Sequence, residues 1–218
     1  MTTVERVPDT ETPARPWRTE RGFERLVFFS DAVVAIAITL LILPVVDIVS
    51  TDKSVGVGDL FDDHFGELLA FALSFLVIAL FWVEHHRTFE TIDGYTRPLI
   101  WANMLWLATI VFLPLPTEMV AQSGSEDRAV SALYIGTILV SAIALELLTV
   151  VIARTPEIQT DAPPPVPDPT MVILTALALI VAVAIPAIGM WAMLLLFLQG
   201  PIGAAVQRRR STPASIHE

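Results

Sequence analysis

The sequence predicts an all-α, polytopic membrane protein with six transmembrane helices per subunit. Apolar residues make up 54% of the 218-residue chain, charged residues make up 17%, and the mean hydropathy is +0.67. A soluble domain would have a charged fraction of about one quarter. Charged residues divide the chain into apolar blocks, each near the length of about 20 residues that a membrane-spanning helix needs. The six blocks are 26–46, 68–83, 99–117, 129–152, 170–185 and 187–206.

The basic residues predict that both ends of the chain lie on the cytoplasmic side. Eleven of the 13 Lys and Arg residues lie before block one, between blocks two and three, between blocks four and five, or after block six. Only Lys53 and Arg128 fall in the other loops. Cytoplasmic loops carry the excess of Lys and Arg, so an N-in, C-in arrangement is favoured. One long helix over 170–206 is the alternative, but Pro186 and Gly189 favour a hairpin.

The segments outside the blocks differ in composition. Residues 1–19 are polar and contain three prolines, which predicts a disordered cytoplasmic segment. Residues 20–207 then form the transmembrane domain, and residues 208–218 form a basic cytoplasmic tail. The connection 155–169 holds six of the 16 prolines, so we expect a semi-extended cytoplasmic linker.

The loop between blocks one and two is acidic and is predicted to lie outside the cell. A negative outer surface raises the local concentration of cations. The alternative interpretation is a solvated acidic loop without a role in ion capture. Its acidic residues are Asp47, Asp52, Asp59, Asp62, Asp63 and Glu67.

The first block has two chemically different faces at 100° per residue. Ser30 and Asp31 form a polar face, and Asp31 is the only charge in the block. A charge inside a membrane helix is costly and indicates function, and polar groups there need partners within the protein. The opposite face either contacts lipid or lines a space. We call it the aliphatic stripe, and it consists of Ile36, Leu40 and Leu43, with the hydroxyl of Thr39 beside them.

Candidate partners for the polar face lie at the end of block two and in block three. Trp82 and His85 supply ring N–H groups, and Asn103 is the lone amide of block three. An interfacial cluster of snorkelling side chains is the alternative interpretation. His85 and His86 are adjacent and cannot share one helical face, and the chain has no cysteine, so we expect no tightly bound metal.

The first block also carries a family resemblance. The run from Arg25 to Asp31, Arg-Leu-Val-Phe-Phe-Ser-Asp, resembles the Arg-x-x-x-Phe-Ser-Asp signature of the transmembrane protein 175 family. This family comprises endolysosomal potassium channels and their bacterial relatives. The segments 35–41, 85–87 and 103–114 are similar to the family as well, whereas Ala32 and Val34 depart from its pattern. A single six-helix unit resembles the bacterial members.

The resemblance implies a homotetramer in which the first helix of each subunit lines a central pore. By position, Ile36 would form the constriction, with Leu40 and Leu43 stacked above it and Thr39 beside the ring. The signature would brace this helix from behind against blocks two and three. The residues implied in that bracing network are Arg25, Phe29, Ser30, Asp31, Trp82, His85 and Asn103.

These expectations combine into a passive channel selective for potassium over sodium. The sequence has no Thr-Val-Gly-Tyr-Gly segment, so selectivity must come from an apolar constriction instead of a carbonyl filter loop. We expect potassium ions, the lipid bilayer and further copies of the chain as partners, with no nucleic acid and no cofactor. The expected location is the plasma membrane of a bacterium.

Two other classes of function are weaker interpretations. A proton- or ion-coupled secondary transporter would use Asp31, Glu146 or a histidine as a relay and would show paired broken helices in repeated halves. Only one Pro-Gly break, at Pro186 to Gly189, is present. An enzyme is not expected, because the sequence lacks nucleophile-elbow, zinc-protease and phosphate-loop motifs.

Overall fold

The computed structural model describes residues 19–51, 56–123, 127–163 and 165–185. Within these ranges the regular elements are helices, and one isolated β-bridge joins Ile92 and Gln159. The helices, in chain order, are α1 (Glu20–Leu40), α2 (Leu43–Thr51), α3 (Val57–Asp63), α4 (Phe65–Phe89), α5 (Arg97–Phe112), α6 (Pro114–Ser123), α7 (Arg128–Ala153) and α8 (Thr170–Ala184). A short 3-10 turn, Pro156–Ile158, follows α7.

The described residues contain four stretches that are long and apolar enough to cross a membrane. They are Glu20–Thr51, Phe65–Phe89, Arg97–Gln122 and Arg128–Ala153, and the shorter apolar helix α8 follows them. The prediction of an all-α membrane protein is therefore confirmed. The predicted blocks one to five correspond to these helices. Block six, 187–206, the predicted tail 208–218 and residues 1–18 of the predicted N-terminal segment 1–19 lie outside the described residues.

Two of the spans are interrupted, and a proline explains each break. Pro44 has no N–H to donate to the carbonyl of Leu40, and Pro114 has none for the carbonyl of Ile110. Just before each proline the backbone makes a hydrogen bond over three residues, which is tighter than the four-residue spacing of an α-helix. The N–H of Leu41 bonds to the carbonyl of Ile38, and the N–H of Leu113 bonds to the carbonyl of Ile110. The uninterrupted helices predicted for 26–46 and 99–117 are therefore each divided into two.

Helices extend beyond the predicted blocks at several ends. Helix α1 begins at Glu20, where the hydroxyl of Thr19 accepts a hydrogen bond from the N–H of Gly22 at 3.1 Å. Helix α4 continues through Glu84 and Arg87, whose charged side chains are exposed. Charges mark where a helix leaves the apolar layer, but long charged side chains are good helix formers, so they do not mark where the helix ends.

Helix α7 is central to the bundle and packs against α5, α6 and α8, whereas α1 lies against α4 and α5. Helix α1 uses a narrow buried face for this packing, formed by Ser30, Val34 and Ala37 at spacings of four and three residues. Partly buried apolar side chains flank this face and pack against the core, among them Leu26, Val33 and Ile38, and the side of α1 opposite to it is exposed.

The arginines are unevenly distributed between the two ends of the bundle. At one end, which we call the basic end, α1 and α5 begin and α4 and α7 end. Its exposed arginines are Arg21, Arg25, Arg87, Arg97 and Arg154. The opposite end, the acidic end, carries the described acidic residues of the first loop, and part of this loop folds as α3. These residues are Asp47, Asp59, Asp62, Asp63 and Glu67.

A folded connector covers the basic end. The N–H of Asp93 bonds to the carbonyl of Ile158, and the N–H of Thr160 bonds to the carbonyl of Thr91, each at 3.0 Å. The side chain of Gln159 donates to the carbonyl of Ile152 at 2.8 Å, near the end of α7, where the same carbonyl also accepts from the N–H of Thr155. The sequence predicted an extended linker over 155–169. Residues 156–160 are instead packed against the bundle, because Ile158 is buried in it.

Removal of the Ile158 side chain tests the importance of this connector. Ile158 is 1% exposed and packs in a cluster with Phe89, Ile92, Leu99 and Ile152. Ile158→Ala should lower the free energy of unfolding by about 2–5 kcal/mol, as for other large-to-small core substitutions. The measurement is the thermal melting of the detergent-solubilised protein. Val166→Ala, at an exposed position of the same connection, is the control, and equal melting temperatures for the two variants would contradict the packing role.

Candidate functional site on the first helix

A chain of hydrogen bonds joins the buried face of α1 to α5 and α4. The amide Nδ2 of Asn103 on α5 donates to the hydroxyl of Ser30 on α1 at 2.8 Å. The carbonyl Oδ1 of the same amide lies 2.8 Å from Nε2 of His85 on α4. All three side chains are buried. One amide therefore connects three helices inside a membrane span, where unpaired polar groups have no water to replace a lost partner.

The donors of this chain run in one direction. Since the N–H₂ group of Asn103 faces Ser30, its carbonyl oxygen accepts from His85, and His85 must carry a proton on Nε2. The hydroxyl of Ser30 in turn donates a hydrogen bond to the carbonyl of Leu26 at 2.9 Å, within α1. Each of these three hydrogen bonds consequently joins a donor to an acceptor.

Two aromatic rings enclose the His85 imidazole. Trp106 stacks on it with ring centroids 4.2 Å apart and planes 9° apart, and Phe89 stacks with centroids at the same separation and planes at 24°. Phe89 in turn stacks on Phe23 near the start of α1. In the described part of the chain, the buried indole N–H of Trp106 has no hydrogen-bond partner. Trp106 therefore contributes apolar packing to the site.

Sequence reasoning missed Trp106 and Phe89. The signal was present in the spacing, because Trp106 follows Asn103 by three residues and Phe89 follows His85 by four. Side chains three or four positions apart share one face of a helix. Both rings therefore lie on helix faces that the candidate polar residues already mark.

Asp31 makes a second, separate contact with α4. The indole N–H of Trp82 donates to Oδ1 of Asp31 at 2.9 Å. The ring of Trp82 also stacks on His86, whose Nε2 lies 3.2 Å from a carboxylate oxygen of Glu90. Ser30 and Asp31 are adjacent and point to different sides of α1, so the two contacts together limit rotation of the helix about its own axis.

The opposite side of α1 makes no comparable contacts with the described residues. Ile36 is 60% exposed and Leu40 is 40% exposed, and Leu43, which lies beyond the break as the first residue of α2, is 49% exposed. The hydroxyl of Thr39 donates to the carbonyl of Ile36 at 2.8 Å, within the same helix. The aliphatic stripe is thus available to a neighbouring subunit, to lipid or to a conduit.

Two residues of the implied network lie outside this set of hydrogen bonds. Arg25 is exposed at the basic end and has no hydrogen bond or ion pair to the residues described. Phe29 is about half exposed, on a different side of α1 from its neighbour Ser30. In the same part of the chain, no group of three or more His, Asp or Glu side chains is arranged to hold a metal ion.

Known proteins are similar to this chain in sequence and in fold. Residues 25–114 match the family described as endosomal/lysosomal potassium channel TMEM175. A potassium channel of Streptomyces collinus is 35% identical over 145 residues, which cover 64% of this chain and 70% of the relative. A human relative named endosomal/lysosomal proton channel TMEM175 is 31% identical over 96 residues, which cover 42% of this chain and 18% of the human protein.

One solved structure extends the likeness to most of the chain. It is the crystal structure of a lysosomal potassium-selective channel TMEM175 homolog from Chamaesiphon minutus. The TM-score is 0.60 at 28% sequence identity, and the match covers 85% of this chain and 97% of the homolog. With the family match over the helices that carry the site, and the bacterial relative matched over more than two thirds of its length, this chain belongs to the TMEM175 family.

Proposed function

We propose that this chain is one subunit of a passive, potassium-selective ion channel in which four copies surround a pore lined by α1. One observation carries the proposal. The hydrogen-bonded face of α1 is fixed to α4 and α5, while its aliphatic stripe is exposed on the opposite side. The names of the bacterial relatives and of the solved homolog support potassium as the permeant ion.

In this proposal the aliphatic stripe forms a narrow apolar constriction, with Ile36 at its tightest point and Leu40 and Leu43 beyond it. A constricted apolar tube empties of water easily, and an ion must shed part of its hydration shell to pass. This loss costs less for potassium than for the smaller sodium ion. Preference for potassium then follows without a ring of backbone carbonyls.

Thr39 would supply a polar oxygen beside the constriction. Its hydroxyl proton is already donated to the carbonyl of Ile36, so the lone pairs of its oxygen remain free to face a cation. Gly94 and Tyr95, the nearest likeness to a filter sequence, belong to the connector region, where Gly94 lies beside Ile158 and the Tyr95 ring lies against Gly22.

The proposed membrane orientation has six spans, with the basic end in the cytoplasm. The grouping of Arg87, Arg97 and Arg154 with the first arginines of α1 supports it, because cytoplasmic segments carry the excess of positive charge. Residues 20–207 would form the channel domain, between the cytoplasmic segments 1–19 and 208–218. The bacterial origin of the relatives matched over most of their length supports location in a bacterial plasma membrane.

Proton conduction is a second candidate, and the names of the animal relatives favour it. These relatives match over about a fifth of their length, whereas the relatives named potassium channel match over about two thirds. Reversal potentials separate the two candidates. At constant pH, the reversal potential of the proposed channel should change with the potassium gradient. A reversal potential that changed only with the pH gradient would overturn the proposal.

Replacement of the constriction residues tests the pore assignment. Ile36→Asn and Leu40→Asn should each wet the constriction and lower the potassium-to-sodium permeability ratio severalfold, measured from reversal potentials in reconstituted bilayers. Ile173→Asn on α8 is the matched control, because Ile173 is also 60% exposed but lies on another helix. Unchanged selectivity in both variants of α1 would rule out the aliphatic stripe as the constriction.

Loss of the Asn103 amide tests the bracing of α1. Asn103→Leu leaves the N–H of His85 without its acceptor, at a cost of about 1–3 kcal/mol. It also removes the amide that donates to Ser30, whose hydroxyl keeps its bond to the carbonyl of Leu26. The melting temperature of Asn103→Leu in detergent should be well below that of Thr109→Val. Thr109 lies on the same helix and bonds only to the carbonyl of Trp106, so this variant loses no contact between helices. Equal melting temperatures for the two variants would show that the Asn103 amide does not brace α1.

Asp31 should matter more for assembly than for ion preference. Asp31→Ala removes the acceptor of the Trp82 indole and frees one side of α1. We expect a lower yield of tetramer, measured by size-exclusion chromatography with mass determination, and an unchanged permeability ratio in the tetramers that form. The bracing interpretation fails if assembly is intact and selectivity is lost.

A further inference from the structure

Phe29 is the large aromatic residue of the signature that the hydrogen-bond network does not use. It is 51% exposed, although the two residues that follow it are both engaged, Ser30 with Asn103 and Asp31 with Trp82. Bracing requires a side chain that packs against α4 or α5. The exposure of Phe29 is therefore better explained by a role on the outward side of α1.

The helical register places Phe29 on the aliphatic stripe. Phe29 precedes Ile36 by seven residues, which is almost two full turns. The two residues therefore lie about 20° apart around the helix axis and about 10.5 Å apart along it. Helix α1 is continuous from Glu20 to Leu40, so the break at Leu41 does not disturb this register. Phe28, by contrast, lies about 80° from Ile36 around the helix axis, in the rotational sense opposite to Phe29, and it is 68% exposed.

The network fixes the direction in which Phe29 points. Any rotation of α1 that moved Phe29 away from the side of Ile36 would also pull Ser30 from Asn103 and Asp31 from Trp82. Both are contacts of buried or half-buried polar groups in a membrane span, and their loss is costly. Phe29 and Ile36 therefore keep a common side for as long as the network is intact.

We propose that Phe29 lines the conduit between the basic end and the Ile36 constriction, where four copies form an aromatic ring at the pore entrance. This inference rests on the proposed function, since it needs α1 to line the pore. An aromatic ring has a negative face that attracts cations without supplying a hydrogen bond. Such an entrance holds a cation loosely before the ion loses its water at Ile36.

Cysteine accessibility tests the position of Phe29, and the chain is suited to it because it has no native cysteine. Phe29→Cys and its matched control Phe28→Cys are reconstituted in planar bilayers. The positively charged reagent 2-(trimethylammonium)ethyl methanethiosulfonate is applied to each side separately. We expect the current of Phe29→Cys to fall by more than half when the reagent is on the side of the basic end, and the current of Phe28→Cys to remain unchanged.

The reagent is too large to pass the constriction, so modification from the acidic end should not occur. The proposal is overturned if Phe29→Cys is insensitive from both sides, or if Phe28→Cys is modified to the same extent.

Charged substitutions give a second measurement that does not depend on thiol chemistry. Phe29→Glu should raise the potassium current entering from the basic end severalfold, and Phe29→Lys should lower it, because charges at a pore entrance change the local cation concentration. The same substitutions at Phe28 should have no such opposite effects. Equal currents for Phe29→Glu and Phe29→Lys would contradict the inference.

The two proposals fail in different ways. If Ile36→Asn changes ion selectivity while Phe29 variants behave like Phe28 variants, the pore remains and only the aromatic entrance is wrong. If Ile36→Asn leaves selectivity unchanged as well, α1 does not line the pore and both proposals fall.

Discussion

The position of α1 depends on one buried amide. Asn103 donates to Ser30 and accepts from His85, and so it connects α1, α5 and α4 through both ends of a single side chain. In water such bonds contribute little, because each group would bond to solvent if the contact were lost. Inside a membrane span that exchange is absent, so the same bonds determine which face of α1 points inward.

The asymmetry of α1 suits a helix that shapes a conduit. A constriction keeps its width only if the helix that forms it does not roll or tilt, yet its lining must make no lasting bonds with the ions that pass. Helix α1 separates these requirements. The stacking of Trp106 and Phe89 on His85 and the bond from Trp82 to Asp31 fix one side of the helix. The opposite side carries mainly hydrocarbon, with the hydroxyl of Thr39 as its polar group.

The helical spans and most residues of the network could be predicted from the sequence, whereas the helix breaks and the pairing of Asn103 could not. Hydropathy located the described spans, because burial in lipid demands long apolar runs. It did not locate the breaks at Leu41 and Leu113, because mean hydropathy is insensitive to a missing backbone donor at Pro44 or Pro114. Asn103 was identified as a lone amide, but whether it would meet His85 or Ser30 depends on how α4 and α5 are packed, which spacing along one helix does not contain.

The connector at the basic end has a consequence for biosynthesis. Thr91 and Thr160 are 69 residues apart in the chain, yet their backbone groups bond directly. At the usual rate of synthesis, about 3–14 s pass between the emergence of these two residues from the ribosome. During that interval the carbonyl of Thr91 and the apolar surface around Ile92 have not met their partners. A nascent chain is therefore open to chaperones, proteases or neighbouring nascent copies at this place until translation has passed α7.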